Sequence, residues 1–96
     1  MSAYLILDTK ITDPEAYEAY KVLAKPIAEE FGGVYRVRGS EIDLLENDLW
    51  EPTRIVVIEF PSKRHARDFY NSDAYKPVRD IRQNNAECTL FIVDGG

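Results

Sequence analysis

The spacing of hydrophobic and polar positions changes several times along the chain, and each change marks an element. Residues 3–11 alternate, with Leu5 and Leu7 on one side and Tyr4, Ile6 and Asp8 on the other, which predicts a strand. Thr12-Asp13-Pro14-Glu15 then reads as a helix start in two ways. Thr12 with Glu15 forms a capping box, and Asp13 before Pro14 gives an N-cap and a proline at the first helical position. Steps of three and four residues follow, with Ala16, Tyr20, Leu23, Ile27 and Phe31 as the stripe expected to lie on a sheet. Pro26 falls inside this helix, where it removes a hydrogen bond and predicts a kink or break near Lys25. Gly32-Gly33 ends the helix, one glycine taking the left-handed conformation.

Residues 34–38 form a second strand, with Tyr35 and Val37 facing one way and Arg36 and Arg38 the other, beside Val34. Gly39-Ser40 interrupts it, residues 41–46 resume extended structure, and residues 47–53 are a loop with Trp50 and Pro52. Residues 54–60 are the strongest strand, because the β-branched run from Ile55 to Ile58 is apolar on both faces. Pro61 stops the ladder, and Ser62 caps a helix over 62–71 that turns Ala66, Phe69 and Tyr70 inward. Ser72-Asp73 caps a further turn. Pro77 starts a last helix carrying Val78 and Ile81, with Tyr75 near its beginning, and Asn84-Asn85 breaks it. Residues 86–94 alternate Cys88, Leu90 and Ile92 with Thr89, Phe91 and Val93, a fourth strand.

The order β, α, β, β, α, β specifies an α+β fold, the ferredoxin-like βαββαβ sandwich. Right-handed crossovers put strands one and three in the middle of an antiparallel four-stranded sheet with helices on one face. Both central strands are apolar in both directions, so the helix-free face also needs cover. A second copy of the same sheet is the simplest cover, and a two-fold homodimer is expected.

Length and charge narrow the possibilities further. The 96 residues suffice for one domain, 1–96. A net charge of −5 disfavours nucleic acid as a partner. No apolar run approaches the ~18 residues of a membrane span, and no signal peptide opens the chain, so no membrane partner and a cytoplasmic location are expected. The lone Cys88 can form neither an internal disulfide nor a thiolate zinc site, and its apolar neighbours predict an inert thiol. No metal and no cofactor are called for by these residues.

Four stretches carry a family resemblance: Thr-Asp-Pro-Glu-Ala-Tyr (12–17), Gly-Gly-Val-Tyr-Arg-Val-Arg-Gly (32–39), Arg-Ile-Val-Val-Ile-Glu-Phe-Pro-Ser (54–62) and Tyr-Asn-Ser-Asp-Ala-Tyr (70–75). Together they resemble the domain-of-unknown-function 1330 family over essentially the whole chain. The resemblance implies a dimeric α+β barrel, a superfamily that includes cofactor-independent monooxygenases, haem-degrading enzymes, chlorite dismutase-like proteins and muconolactone isomerases. The matching residues are mostly turn and core positions, so the family implies a fold and leaves the reaction open.

Several residues offer chemistry. His65 is the one side chain whose ordinary pKa lies near neutrality, and it sits near the end of the central strand. It reads as a general base oriented by Glu59, or as a half-exposed helix residue. Asp8, Arg36, Arg38, Arg54 and Glu59 are charges within strands, which must be paired or used. An arginine among them, Arg38 or Arg54, grips a substrate carboxylate, or the set forms salt bridges across the sheet or the dimer seam. Tyr17, Tyr20, Trp50, Tyr70 and Tyr75 wall a pocket for a planar ligand, or pack the core and interface. Lys63, Arg64 and Arg67 at a helix start mark an anion site or a solvated face. Two functions stay open. One is a cofactor-independent oxygenase or isomerase acting on a small anionic or aromatic metabolite in a cleft between helices and sheet. The other is a non-catalytic metabolite-binding or structural dimer module.

Overall fold

The computed structural model describes residues 2–95. Its elements run β1 (Ala3–Ile11), α1 (Pro14–Glu30), β2 (Val34–Arg38), β3 (Ile55–Phe60), α2 (Lys63–Asn71), α3 (Tyr75–Asn85) and β4 (Ala86–Asp94). The strands form one sheet in the order β2-β3-β1-β4, every neighbouring pair antiparallel. This is the expected ferredoxin-like topology, with the second helical connection divided into α2 and α3.

Alternation decides which residues the helices cover. Leu5 pairs with Ile58 and Ile92, and Leu7 with Val56 and Leu90, so these side chains share the helix-facing side. With Phe60, Phe69, Tyr17, Tyr20, Tyr75 and Val78 they form the core. On the opposite face one row, Val37–Val57–Ile6–Phe91, crosses all four strands. Among the described residues nothing covers that row, and Phe91, Val93 and Val34 are exposed on that face.

In α1, Asp13 does the capping: its Oδ1 accepts from Ala16 N at 3.2 Å. The buried stripe is Tyr17, Tyr20, Ala24 and Ala28, flanked by Ile27 and Phe31, rather than the stripe through Ala16 and Leu23. The correction is one residue of rotation. It puts Leu23 and Val22 in water and brings alanines against the sheet, so the helix can approach closely. Nor does Pro26 break the helix, which continues to Glu30. Gly32 ends it at φ +86°, in the left-handed region as expected.

A second correction lies in β2. Tyr35 pairs with Ile58 but Val37 pairs with Val57, so Arg36 is the extra residue of a β-bulge. Past the bulge the faces exchange. Val37 joins the helix-free face, and Arg38, opposite Val56, joins Tyr35 on the helix side. Residues 41–46 form no strand, contrary to expectation, because no neighbouring strand offers them a ladder. All of 39–54 is loop, followed directly by β3. Asp8, only 8% exposed, anchors it by accepting from Trp50 Nε1 (2.9 Å), Thr53 N (2.9 Å) and Arg54 N (3.1 Å).

Helix α3 begins at Tyr75, two residues before Pro77. Its N-cap is Ala74, and Ser72 Oγ in the preceding turn accepts from Tyr75 N at 3.2 Å. Pro77 sits in the first turn, where its missing N–H leaves no bond unmade. Among the described residues no helix is long and apolar enough to cross a membrane.

Candidate functional site

The covered face of the sheet encloses a cleft against α1 and α3. Its polar lining is Tyr20, Tyr35, Tyr75, Arg38 and Arg54, over a floor of Leu5, Leu7, Val56 and Ile58. The cavity inside is about 20 Å³, room for roughly one water molecule. The bulge at Arg36 makes this lining possible, since an unbulged β2 would turn Arg38 to the opposite side. Arg38 reaches from β2 to α1, where its Nη2 donates to the Lys21 carbonyl at 2.9 Å, and its guanidinium lies 5.3 Å from the Tyr35 ring centroid. Arg38 therefore bridges β2 and α1 across the cleft.

At the inner end the Tyr20 and Tyr75 hydroxyls are 2.7 Å apart. Tyr20 comes from the α1 stripe, and Tyr75 from the first residue of α3, where its N–H donates to Ser72 Oγ. Burial, and then the neighbouring Tyr75, push the Tyr20 phenol well above its ordinary pKa. Burial likewise pushes Tyr35 up to about 12. Tyr20 is thus a neutral donor at physiological pH. Two hydroxyls own two hydrogens and their mutual bond uses one, so the pair keeps one hydrogen to donate elsewhere.

Beside this pair lies Arg82, only 2% exposed, with its guanidinium 6.0 Å from the Tyr20 ring centroid. Its Nε has no hydrogen-bond partner, and among the described residues no carboxylate pairs with it. A guanidinium stays charged when buried, so a positive charge without a carboxylate partner lies behind the Tyr20–Tyr75 pair in a medium of low polarity, although Arg82 does not itself line the cleft. Tyr17 OH and Thr9 Oγ1, also buried, lack partners as well. Sequence reasoning missed Arg82. Its signal was there: Tyr75, Val78 and Arg82 follow the inward spacing of three and four, which puts a charge on a buried stripe.

Of the sequence candidates, the structure brings Tyr20, Tyr75, Arg38 and Arg54 to one cleft. It leaves His65 and Trp50 elsewhere. His65 is exposed on α2, its Nδ1 2.6 Å from Ser62 Oγ, and Ser62 also caps the helix by accepting from His65 N. Glu59, the expected orienting partner of His65, faces the helix-free side. There Arg36 Nε donates to its Oε1 at 2.9 Å, and hydrogen bonds from Ser2 and Arg36 hold its carboxyl below the usual range. Trp50 borders a shallow depression with Asp8, Cys88 and Thr89. Among the described residues no three His, Cys, Asp or Glu side chains converge to hold a metal ion.

Solved structures share this architecture. A Rhodopseudomonas palustris protein of unknown function superposes with a TM-score of 0.76 at 19% identity, covering 99% of this chain and 82% of that one. SnoaB, a cofactor-independent oxygenase from Streptomyces nogalater, superposes with a TM-score of 0.68 at 6% identity, covering 99% and 93%. A dimeric Bacteroides fragilis protein of unknown function with a ferredoxin-like fold superposes with a TM-score of 0.56 at 14% identity, covering 98% and 96%. At these identities the likeness is one of fold. A comparison with curated protein sequences gives no significant match. The sequence profile of the family described as Domain of unknown function (DUF1330) matches residues 2–96, and the chain belongs to that family.

Proposed function

We propose that two copies of this chain pair through their helix-free sheet faces as a dimeric α+β barrel. In each copy the cleft on the helix side binds a small planar metabolite as its oxyanion and converts it without a cofactor, as an oxygenase or isomerase does. The observation that carries the chemistry is the 2.7 Å Tyr20–Tyr75 hydroxyl pair beside buried Arg82. The spare hydroxyl hydrogen donates to the substrate oxygen, and the Arg82 guanidinium behind the pair, which has no carboxylate partner, stabilises negative charge as it collects there. An enolate or phenolate gains most from this arrangement. Both isomerisation next to a carbonyl and reaction of an activated phenol with dioxygen pass through such an anion.

Arg38 admits the ligand. Its five donors let it exchange the Lys21 carbonyl for a ligand carboxylate or phenolate, and that exchange opens the mouth. The apolar row Val37–Val57–Ile6–Phe91 supports the pairing of copies, and the Bacteroides fragilis neighbour is described as dimeric. SnoaB, of the same fold, is a cofactor-independent oxygenase, and we carry that type of activity to this chain as part of the proposal.

A second reading, a metabolite-binding or structural module without turnover, is favoured by the cavity of about 20 Å³, which holds no metabolite until the cleft opens. Ligand-observed NMR separates the two. Hydroxybenzoates and related planar phenols and enolisable ketones are mixed with the protein, in air and under argon, with Tyr75→Phe and Arg38→Ala as controls. Binding abolished by both substitutions, with substrate signals that decay, supports the enzyme. Binding without decay supports the module, and no binding removes the oxyanion site.

A further inference from the structure

The stretch 41–51 of the loop between β2 and β3 is strongly acidic. Glu41, Asp43, Glu46, Asp48 and Glu51 lie in it with no Lys or Arg among residues 41–51, and Arg54 is the one basic residue of the loop, at its end. Between the acids stand leucines in water: Leu45 is 87% and Leu49 86% exposed, and Leu44 and Trp50 are exposed beside them. Such a segment is both acidic and apolar, yet it is tied down at its C-terminal end by the three hydrogen bonds to Asp8. It suits a surface that is basic at the rim and apolar at the floor.

The chain itself has that surface. A groove of about 420 Å³ runs between α2 and β4, floored by Leu5, Leu90 and Ile92 and rimmed by Lys63 and Arg67. Lys63 reaches Asp94 only at 3.5 Å, and among the described residues no ion pair involves Arg67. No loop residue lines the groove within the same protomer.

We propose that in the dimer each protomer's loop docks into the partner's α2–β4 groove, acids on Lys63 and Arg67, leucines on the apolar floor. This rests on the pairing of helix-free faces put forward above. The geometry follows from where the loop already leans. Trp50 and Glu51 border a depression shared with Glu87, Cys88 and Thr89, at the start of β4. In the proposed dimer the two-fold axis runs across the strands and so exchanges strand ends, which brings a loop above the start of one β4 over the end of the other. That end carries Asp94, with Lys63 beside it. From there the loop reaches round the unpaired edge of β4 into the groove; anchored at both ends, residues 39–54 extend outward up to ~26 Å, half their ~3.3 Å-per-residue contour.

The consequence concerns the cleft. Leu5 and Leu90 wall both the groove and the inner cavity, so a docked loop seals that flank and leaves the Arg38 mouth as the way in. Each site is then incomplete without the other protomer.

Carbodiimide cross-linking of mixed ¹⁴N- and ¹⁵N-labelled protein, read by mass spectrometry beside light scattering, tests this. The expected product joins Lys63 of one isotope to an acid among 41–51 of the other. A dimer in which Lys63 couples only to Asp94, only within one isotope, or across protomers to an acid outside the loop overturns the docking and leaves the dimer standing. A monomer overturns both. As an independent check, Leu45→Ser with Leu49→Ser changes two side chains that stand in solvent and so leaves the protomer fold intact. The dimer dissociation constant is expected to rise at least tenfold, and an unchanged constant overturns the docking.

Discussion

Replacing Arg82 by methionine should make the protein more stable and less able to bind. Arg82 is 2% exposed, its Nε is unpartnered and no described carboxylate compensates it. Desolvating a guanidinium costs several kcal/mol, and what offsets it here is modest: the Tyr20 ring at 6.0 Å and the polar atoms of Tyr75 and Cys88 nearby. Methionine has a similar reach, no charge and a side chain that adapts to irregular space. Where buried charges have been exchanged for apolar groups of similar volume, the gain is about 1–4 kcal/mol. For a chain of this size each kcal/mol moves Tm by about 4–8 °C, so Arg82→Met should raise Tm by roughly 4–32 °C. Urea denaturation followed by far-UV circular dichroism measures the gain, and a phenolate titration on the same samples measures the loss of binding. A loss of more than about 1 kcal/mol in stability would show that Arg82 serves the fold, and unaltered phenolate binding would remove it from the site.

Three further outcomes follow from the geometry. Asp8→Asn sets an amide NH₂ among three donors in place of a carboxylate, so stability should fall by about 2–3 kcal/mol with a change in Trp50 fluorescence. A loss under 0.5 kcal/mol contradicts the anchoring role. Tyr35 is pushed by burial from 10.0 to about 12, so the folded state holds its proton more tightly than the unfolded chain. That stabilisation is complete below pH 10 and fades as pH rises toward 12; Tyr35→Phe should flatten this alkaline limb in denaturation series, and an unchanged limb contradicts the assignment. Phe91→Asp adds a charge to the helix-free face at a residue 39% exposed, so light scattering should report a folded monomer, and a persisting dimer shows that another surface pairs.

Single-strand alternation was enough to place the sheet. Leu5 with Leu7 and Leu90 with Ile92 declare their faces by alternation, the run from Ile55 to Ile58 declares a strand covered on both faces, and the order of elements then fixes the topology. Features that depend on a neighbour were not legible. The bulge at Arg36 arises from register against β3, so nothing in Tyr-Arg-Val-Arg itself says that Arg38 joins Tyr35. The α1 stripe was misread by one residue because Leu23 looks more hydrophobic than Ala24, whereas close packing on the sheet selects the smaller side chain. Residues 41–46 carry strand-like character with no strand beside them. Of the candidate site, Tyr20, Tyr75, Arg38 and Arg54 were visible in the sequence. Arg82 escaped because a charge on a helix is ordinarily read as solvated, although its spacing from Tyr75 and Val78 is that of the core.

The oxyanion site is tested most directly by the apparent pKa of 4-nitrophenol as the protein is added, read from its phenolate absorbance. Wild-type protein should lower it by about one unit, the ~1.4 kcal/mol of one charge-assisted hydrogen bond, and Tyr75→Phe and Arg82→Met should each abolish the shift. A pKa that stays at its free value, or a shift that survives both substitutions, contradicts the site.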